Sequence, residues 1–117
     1  MNNQQIKTKI LEDVSFSKGA GYTLIYGDWG DQNMRCACPL GCVNLAFGTR
    51  PEDEEMGGVM SVLGVDDKWV GSFIDGYDNN GEAKGALVPD AWKMGAEIRK
   101  EFHPIEMGDF INQMDQL

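Results

Sequence analysis

Four prolines divide the chain into short segments whose apolar residues recur at helical spacing, and this division limits what the chain can fold into. Pro39 and Pro89 each stand where an apolar stripe begins, which suits the first position of a helix. Pro104 follows such a stripe and ends it, because the residue before a proline disfavours the helical conformation. The pattern therefore predicts several short helices rather than a few long ones.

Capping residues set the expected ends of these helices. Asp66 or Asp67 suits the N-cap of one helix, and Gly48 suits the residue after the last turn of another. The sequence therefore predicts helices over 3–14, 39–47, 50–63, 66–77 and 89–102, with a short terminal helix over 109–115.

A capping box is expected at the start of the third helix. Thr49 stands three residues before Glu52, a spacing at which the two side chains can cap each other's backbone N–H groups. The acidic run 52–55 then falls in the first helical turn, where the positive end of the helix dipole favours carboxylates. Met56 opens the buried face of this helix, and Gly64 ends it.

Residues 22–26 are β-branched and aromatic, which favours a strand. Turn residues follow, and a second short strand over 33–37 would close a β-hairpin. An isolated hairpin is only marginally stable, so it must pack on the helices. The predicted fold is mainly α, with α+β as the alternative. Four to five short helices form one small bundle with at most one β-hairpin near residues 22–37, and residues 1–117 form a single domain.

The apolar stripes of the helices also predict the core. Gly71 stands inside one of them, where glycine costs roughly 1 kcal/mol relative to alanine, so a close approach of another element is expected there. The predicted core residues are Ile10, Leu40, Val43, Phe47, Met60, Leu63, Val70, Phe73, Ile74, Ile98 and Phe102.

The net charge of −9 narrows the range of partners. Ten lysines and arginines are scattered among nineteen acidic residues, so direct contact with a nucleic-acid backbone is not expected. No stretch approaches the length of an apolar transmembrane helix, and the first fifteen residues lack the apolar run of a signal peptide. An odd number of cysteines cannot form a complete disulfide framework. We therefore expect a soluble cytoplasmic protein that binds no membrane.

Three cysteines, Cys36, Cys38 and Cys42, form the sharpest local feature. Their C-x-C-x3-C spacing is tighter than the usual zinc knuckle, and a fourth zinc ligand would come from elsewhere, with His103 or an aspartate as the candidate. Cys38 also stands just before the helix that starts at Pro39, where the helix dipole would lower the pKa of its thiol. The alternative is that the cysteines are small core residues. We expect no cofactor, with zinc as the alternative.

Acidic residues between 75 and 82 match a calcium-binding loop only in part. With Gly81 in the sixth position of such a loop, Gly76 and Leu87 would occupy the first and twelfth positions, where oxygen ligands are needed. A helix end followed by a turn is therefore expected. The residues left as a loose cation site, or as a surface for a partner to bind, are Asp75, Asp78 and Glu82.

Short signatures of common enzymes do not occur in the sequence, which contains no Walker loop, no G-x-G-x-x-G, no G-x-S-x-G and no H-E-x-x-H. No catalytic residue is therefore predicted. A small-ligand pocket lined by Tyr26, Trp29 and Trp69 is a further hypothesis, which rests on aromatic content alone.

Three motifs lie within roughly residues 36–102. The segment 38–42 reads Cys-Pro-Leu-Gly-Cys and is similar to a C-x-L-G-A-type helix start. The segment 69–78 is similar to W-V-x-x-F-I-D-G-F-D, and 91–99 fits A-x-x-x-G-x-x-I-R. Together these motifs resemble small helical proteins of unknown function from bacteria and their phages. The resemblance implies a helical cytoplasmic protein encoded by a phage or a mobile element, and it implies no activity.

The leading hypothesis is a non-enzymatic interaction or regulatory protein that binds a partner protein, which for a phage-encoded chain would be a host protein with a basic surface. The competing hypothesis is a metal or thiol site built on the three cysteines. Self-association is left open, because the sequence carries no sign of the oligomeric state.

Overall fold

Capped helices build most of the molecule, and a computed structural model describes residues 1–53 and 57–116. Within this part, the mainly α fold class is confirmed. The helices are α1 (Asn3–Gly19), α2 (Pro39–Phe47), α3 (Gly57–Leu63), α4 (Asp67–Tyr77), α5 (Pro89–Phe102) and α6 (Met107–Asp115). The short strands are β1 (Thr23–Tyr26), β2 (Gly30–Asp31), β3 (Cys36–Ala37) and β4 (Ile105–Glu106), and a 3₁₀ turn spans Ala83–Gly85.

Helix ends lie close to the predicted positions where a capping signal marked them. The bounds of α2 and α5 agree with the prediction, and Asp66 caps α4 by accepting a hydrogen bond from the Trp69 backbone N–H at 2.9 Å. The first helix is longer than expected. It begins with a capping box between Asn2 and Gln5, and its buried face continues through Ser17.

The predicted capping box at Thr49 is wrong. The Thr49 hydroxyl and backbone N–H both donate to the Asn44 carbonyl, so Thr49 closes the C-terminal end of α2 instead of opening α3. Gly48 adopts the left-handed conformation beside it, with φ of 104°, as in a Schellman motif. Glu52 and Asp53 therefore precede the helix, while Glu54, Glu55 and Met56 lie outside the described residues.

The predicted pairing of residues 22–26 with 33–37 as a hairpin is also wrong. Both segments contain a strand, but β1 and β3 run parallel, with Thr23 opposite Cys36. The hairpin is formed instead by β2 and β3, which run antiparallel. After β1 the chain crosses to the edge of the sheet as β2, turns, and returns as β3 between β2 and β1. The sheet order is β2-β3-β1-β4, and β4 also runs parallel to β1. Gly30 is required in β2, because a Cβ atom there would overlap the Cys36 carbonyl.

The predicted core residues are buried or half-buried with one exception. Phe47 is 53% exposed, because it lies in the last turn of α2, where its ring packs beside Gly58 and is otherwise only partly covered. The core also includes residues outside the predicted core list, most of which lie on the predicted apolar stripes of the helices. These are Ile6, Val14, Leu24, Ile25, Val59, Trp69, Tyr77, Ala91, Met94 and Phe110.

The closest backbone approach in the helical layer joins α4 to α5. A Cβ atom on Gly76 would overlap the Trp92 carbonyl, and a Cβ atom on Gly95 would overlap the Phe73 carbonyl. The expectation of close packing at Gly71 is therefore wrong, since nothing lies within 4 Å of a Cβ atom built there. The two helices meet instead at Gly76 of α4 and Gly95 of α5.

This contact predicts opposite effects for two glycine substitutions in α4. Gly76→Ala should lower the free energy of unfolding by about 3 kcal/mol or more, since α5 must move to make room. Gly71→Ala should raise it by up to about 1 kcal/mol, because alanine favours the helix and meets open space. Urea unfolding of both variants measures the difference. An equal effect of the two substitutions would contradict the close contact.

Candidate functional site

The three cysteines occupy different surroundings in the fold, and all three are free and buried. Cys36 lies in β3 and packs with Ile25 and Phe110, with its Sγ 3.9 Å from the sulfur of Met107 on α6. Cys38 is the N-cap of α2, and Cys42 lies within α2; both belong to the main core.

Burial governs the chemistry of these thiols. It raises the pKa of Cys38 to about 12, despite the Gly41 backbone N–H that donates to its sulfur at 3.4 Å. Burial also raises the pKa of Cys36 and of Cys42 to about 11 each. The lowered pKa expected for Cys38 at the helix start is therefore wrong, because the loss of solvation outweighs the helix N-terminus. These thiols are protonated at neutral pH and behave as small apolar groups.

His103 is exposed and lies in the left-handed conformation just after α5, with φ of 47°. Among the residues that the structure describes, no three His, Cys, Asp or Glu side chains are grouped so that they could hold a metal ion. A zinc site on the three cysteines and His103 stays a prediction, because the described structure does not group these side chains as ligands of one ion.

The acidic residues proposed as a cation site or partner surface lie around the end of α4. Asp75 and Glu82 are exposed, and Asp78 is half-buried. The Asp78 carboxylate accepts a hydrogen bond from the Gly27 backbone N–H at 3.1 Å, which ties the end of α4 to the turn after β1. Asp78 lines a cavity beside this turn, and Asp75 lines a separate pocket that also contains Lys68.

An apolar cavity of about 110 Å³ opens between this turn, the start of α2 and the end of α4. Its buried walls come from four residues that are nearly inaccessible to solvent: Cys38, Leu40, Phe73 and Tyr77. Its solvent side is formed by exposed or half-buried residues: Gly27, Asp28, Trp29, Ile74 and Asp78. The cavity is thus apolar at its floor and carries two carboxylates at its mouth.

The carboxylates at the mouth lie in a negative surrounding. Burial raises the pKa of Asp78, and the nearby charges of Asp75 and Asp28 raise it further. The hydrogen bond from Gly27 and the positive charge of Arg99 act in the opposite direction without cancelling the effect. Because the end of a helix is also negative, a cation at this mouth would be favoured.

Arg99 on α5 holds the end of α4. Its guanidinium lies 3.4 Å from the ring centroid of Tyr26 and donates to the Tyr77 carbonyl at 2.8 Å. The Tyr77 hydroxyl in turn donates to the Ile25 carbonyl in β1 at 2.8 Å. These contacts fix the cavity wall that Tyr77 provides.

The aromatic residues expected to line one pocket are separated in the structure. Trp29 lines the cavity, whereas Tyr26 lies under Arg99, and Trp69 stacks on Phe73 with ring centroids 5.3 Å apart. The sequence offered little sign of the cavity, since its walls come from three segments that are distant along the chain. The sequence had indicated Trp29 and Asp78, but in two separate hypotheses, an aromatic pocket and an acidic surface.

Comparisons of the chain with models of protein families, with curated proteins and with solved structures give no match. No helix within 1–53 or 57–116 combines the length and apolar character needed to cross a bilayer.

The buried thiols should react slowly with iodoacetamide in the folded protein. A rise in the Cys36 pKa from 9.0 to about 11 lowers its thiolate fraction at neutral pH roughly 100-fold, and burial also blocks the reagent. Mass spectrometry should find the native chain unmodified under conditions in which all three cysteines of the urea-unfolded chain react. A cysteine that reacts equally fast in both states would contradict this placement.

The same pKa shifts predict a loss of stability at alkaline pH. As the pH rises above 9.0, the thiols of the unfolded chain lose protons before those of the folded chain, so the free energy of unfolding falls until the folded pKa values are passed. Near pH 10, Cys42 should account for about 1 kcal/mol of this loss. Urea unfolding should therefore show a smaller decrease between pH 8 and pH 10 for Cys42→Ala than for the natural chain. Equal decreases would contradict the assigned pKa.

Proposed function

We propose that this protein is a non-enzymatic interaction protein that binds a positively charged part of a partner protein. The observation that carries the proposal is the position of Asp28 and Asp78 at the mouth of an apolar cavity. A concave apolar surface with a few convergent polar groups is typical of a binding site.

Part of the remaining acidic charge is accounted for by the stabilisation of helix ends. Asp67 and Asp90 lie in the first turns of α4 and α5, where negative charge stabilises the helix. Asp75 and Asp78 lie at the opposite end of α4, where backbone carbonyls are exposed and a carboxylate is unfavourable. A cationic partner would relieve this repulsion, which supports a function for these charges in binding.

Binding is favoured over thiol chemistry as the role of this region. Cys38 reaches the cavity, but the raised pKa of its thiol keeps the nucleophilic thiolate scarce at neutral pH. We accordingly propose no catalytic residue.

The compartment and the kind of partner are proposed from the cysteines, the resemblance and the net charge. Free buried thiols are consistent with a reducing compartment, and we propose the cytoplasm. The resemblance to phage proteins suggests a host protein as the partner. The net charge of −9 favours a basic protein surface and disfavours direct contact with nucleic acid.

The proposal can be tested with short lysine and arginine homopeptides whose amino termini are acetylated. We expect binding that weakens with added salt, measured by fluorescence anisotropy of labelled peptides. The double variant Asp28→Asn/Asp78→Asn should bind about tenfold more weakly, because two charges at the mouth are lost. Asparagine keeps an oxygen that can accept the backbone hydrogen bonds of Gly27 and Gly30.

The matched control is Glu12→Gln/Glu101→Gln, which removes the same charge from exposed positions on α1 and α5. This variant should bind nearly as well as the natural chain. Absence of peptide binding at low salt, or an equal loss in both double variants, would overturn the proposed function at this site.

A further inference from the structure

We infer that the cavity binds the free amino terminus of a polypeptide whose first residue has an aliphatic side chain. This inference rests on the proposed function and names the part of the partner that is recognised. The aliphatic side chain would fill the floor of the cavity, and the terminal ammonium would remain at the mouth, between Asp28 and Asp78.

The distribution of polarity in the cavity sets the orientation of the occupant. The buried walls formed by Leu40, Phe73 and Tyr77 are apolar, whereas the carboxylates stand on the solvent side. A lysine or arginine side chain can bind with its charge at the mouth, but it leaves the floor unfilled, because deeper entry would bring that charge among apolar walls, which is costly. An occupant with an apolar end inside and a positive charge outside matches the arrangement. An amino terminus has this order, since its ammonium and its first side chain share one carbon atom.

The size of the cavity limits the first side chain. An apolar protein cavity of about 150 Å³ can bind benzene. The volume of about 110 Å³ therefore suits a smaller group, such as the side chain of leucine, isoleucine or valine. Cys38 is compatible with an apolar floor, because a protonated thiol behaves as a small apolar group.

Three features at the mouth favour an ammonium ion. Asp28 and Asp78 each accept one backbone hydrogen bond, and a carboxylate can accept roughly four, so both keep capacity for further donors. Trp29 lines the same cavity, and aromatic side chains attract organic cations. The C-terminal end of α4 adds the negative end of a helix dipole. A neutral or anionic occupant would add nothing to the partial compensation that the charge of Arg99 gives Asp78.

Short peptides whose one charge is the ammonium of an amino-terminal leucine test the inference by isothermal titration calorimetry. We expect binding of this peptide, and at least about tenfold weaker binding when its amino terminus is acetylated, since the positive charge is lost. Replacement of the leucine by glycine should weaken binding by about tenfold or more, because the apolar floor is left unfilled. Leucine amide serves as a small-molecule probe.

Two protein variants with the same change in charge complete the experiment. Asp78→Asn should weaken binding of the free peptide about tenfold. Glu101→Gln, at an exposed position of α5, should leave it unchanged. Thermal unfolding of both variants confirms that each is folded under the binding conditions.

Several outcomes would overturn the inference. These are equal binding of free and acetylated peptides, equal effects of the two protein variants, and binding of leucine amide without binding of the leucine-initiated peptide. The proposed function is tested separately, because the basic homopeptides have blocked amino termini. If they bind and depend on Asp28 and Asp78 while the free terminus has no effect, the inference fails and the proposed function stands.

Discussion

The contact between the backbones of α4 and α5 fixes the part of the molecule that carries the cavity. Gly76 and Gly95 have no side chains to separate the helices, so the Trp92 and Phe73 carbonyls lie directly against them. Shape complementarity at this distance permits one relative position of the two helices, since any larger residue meets a backbone atom. The aromatic face of α4 is thereby held towards β1 and α2.

Tyr77 transmits this constraint to the site. Its ring forms a wall of the cavity, its hydroxyl donates to β1, and its carbonyl accepts from Arg99 on α5. One residue therefore joins the sheet and both helices. A wall fixed in this way needs little reordering when an occupant enters, and such preorganisation lowers the entropic cost of binding.

The helices could be predicted because their ends are set by local chemistry. Pro39, Gly48, Asp66 and Pro89 each act on the backbone within one turn, so the sequence around them was sufficient. Pairing of the strands depends on segments that are distant along the chain, so it could not be predicted from the local sequence. β3 and β4 have two residues each, too few for an alternating pattern, and their parallel alignment with β1 is decided by packing.

Two wrong predictions have the same physical origin. Thr49 and Glu52 have the spacing of a capping box, but a threonine after Gly48 can equally close the preceding helix, and here Thr49 donates to the Asn44 carbonyl. Gly71 and Gly76 look alike in sequence, and only the position of α5 distinguishes them. In each case a local pattern allowed two arrangements, and tertiary contacts selected between them.

The candidate site was the hardest part to predict, since its residues acquire their roles from burial. The sequence drew attention to the cysteines as reactive groups or metal ligands, because a thiol before a helix is expected to ionise more readily. In the fold, Cys38 is 6% exposed, and the cost of burying a thiolate exceeds the stabilisation by the helix start. The same burial that suppresses its reactivity turns Cys38 into part of an apolar floor. The negative charge of the site consequently resides in Asp28 and Asp78 at the mouth, where water or a cationic partner can reach it.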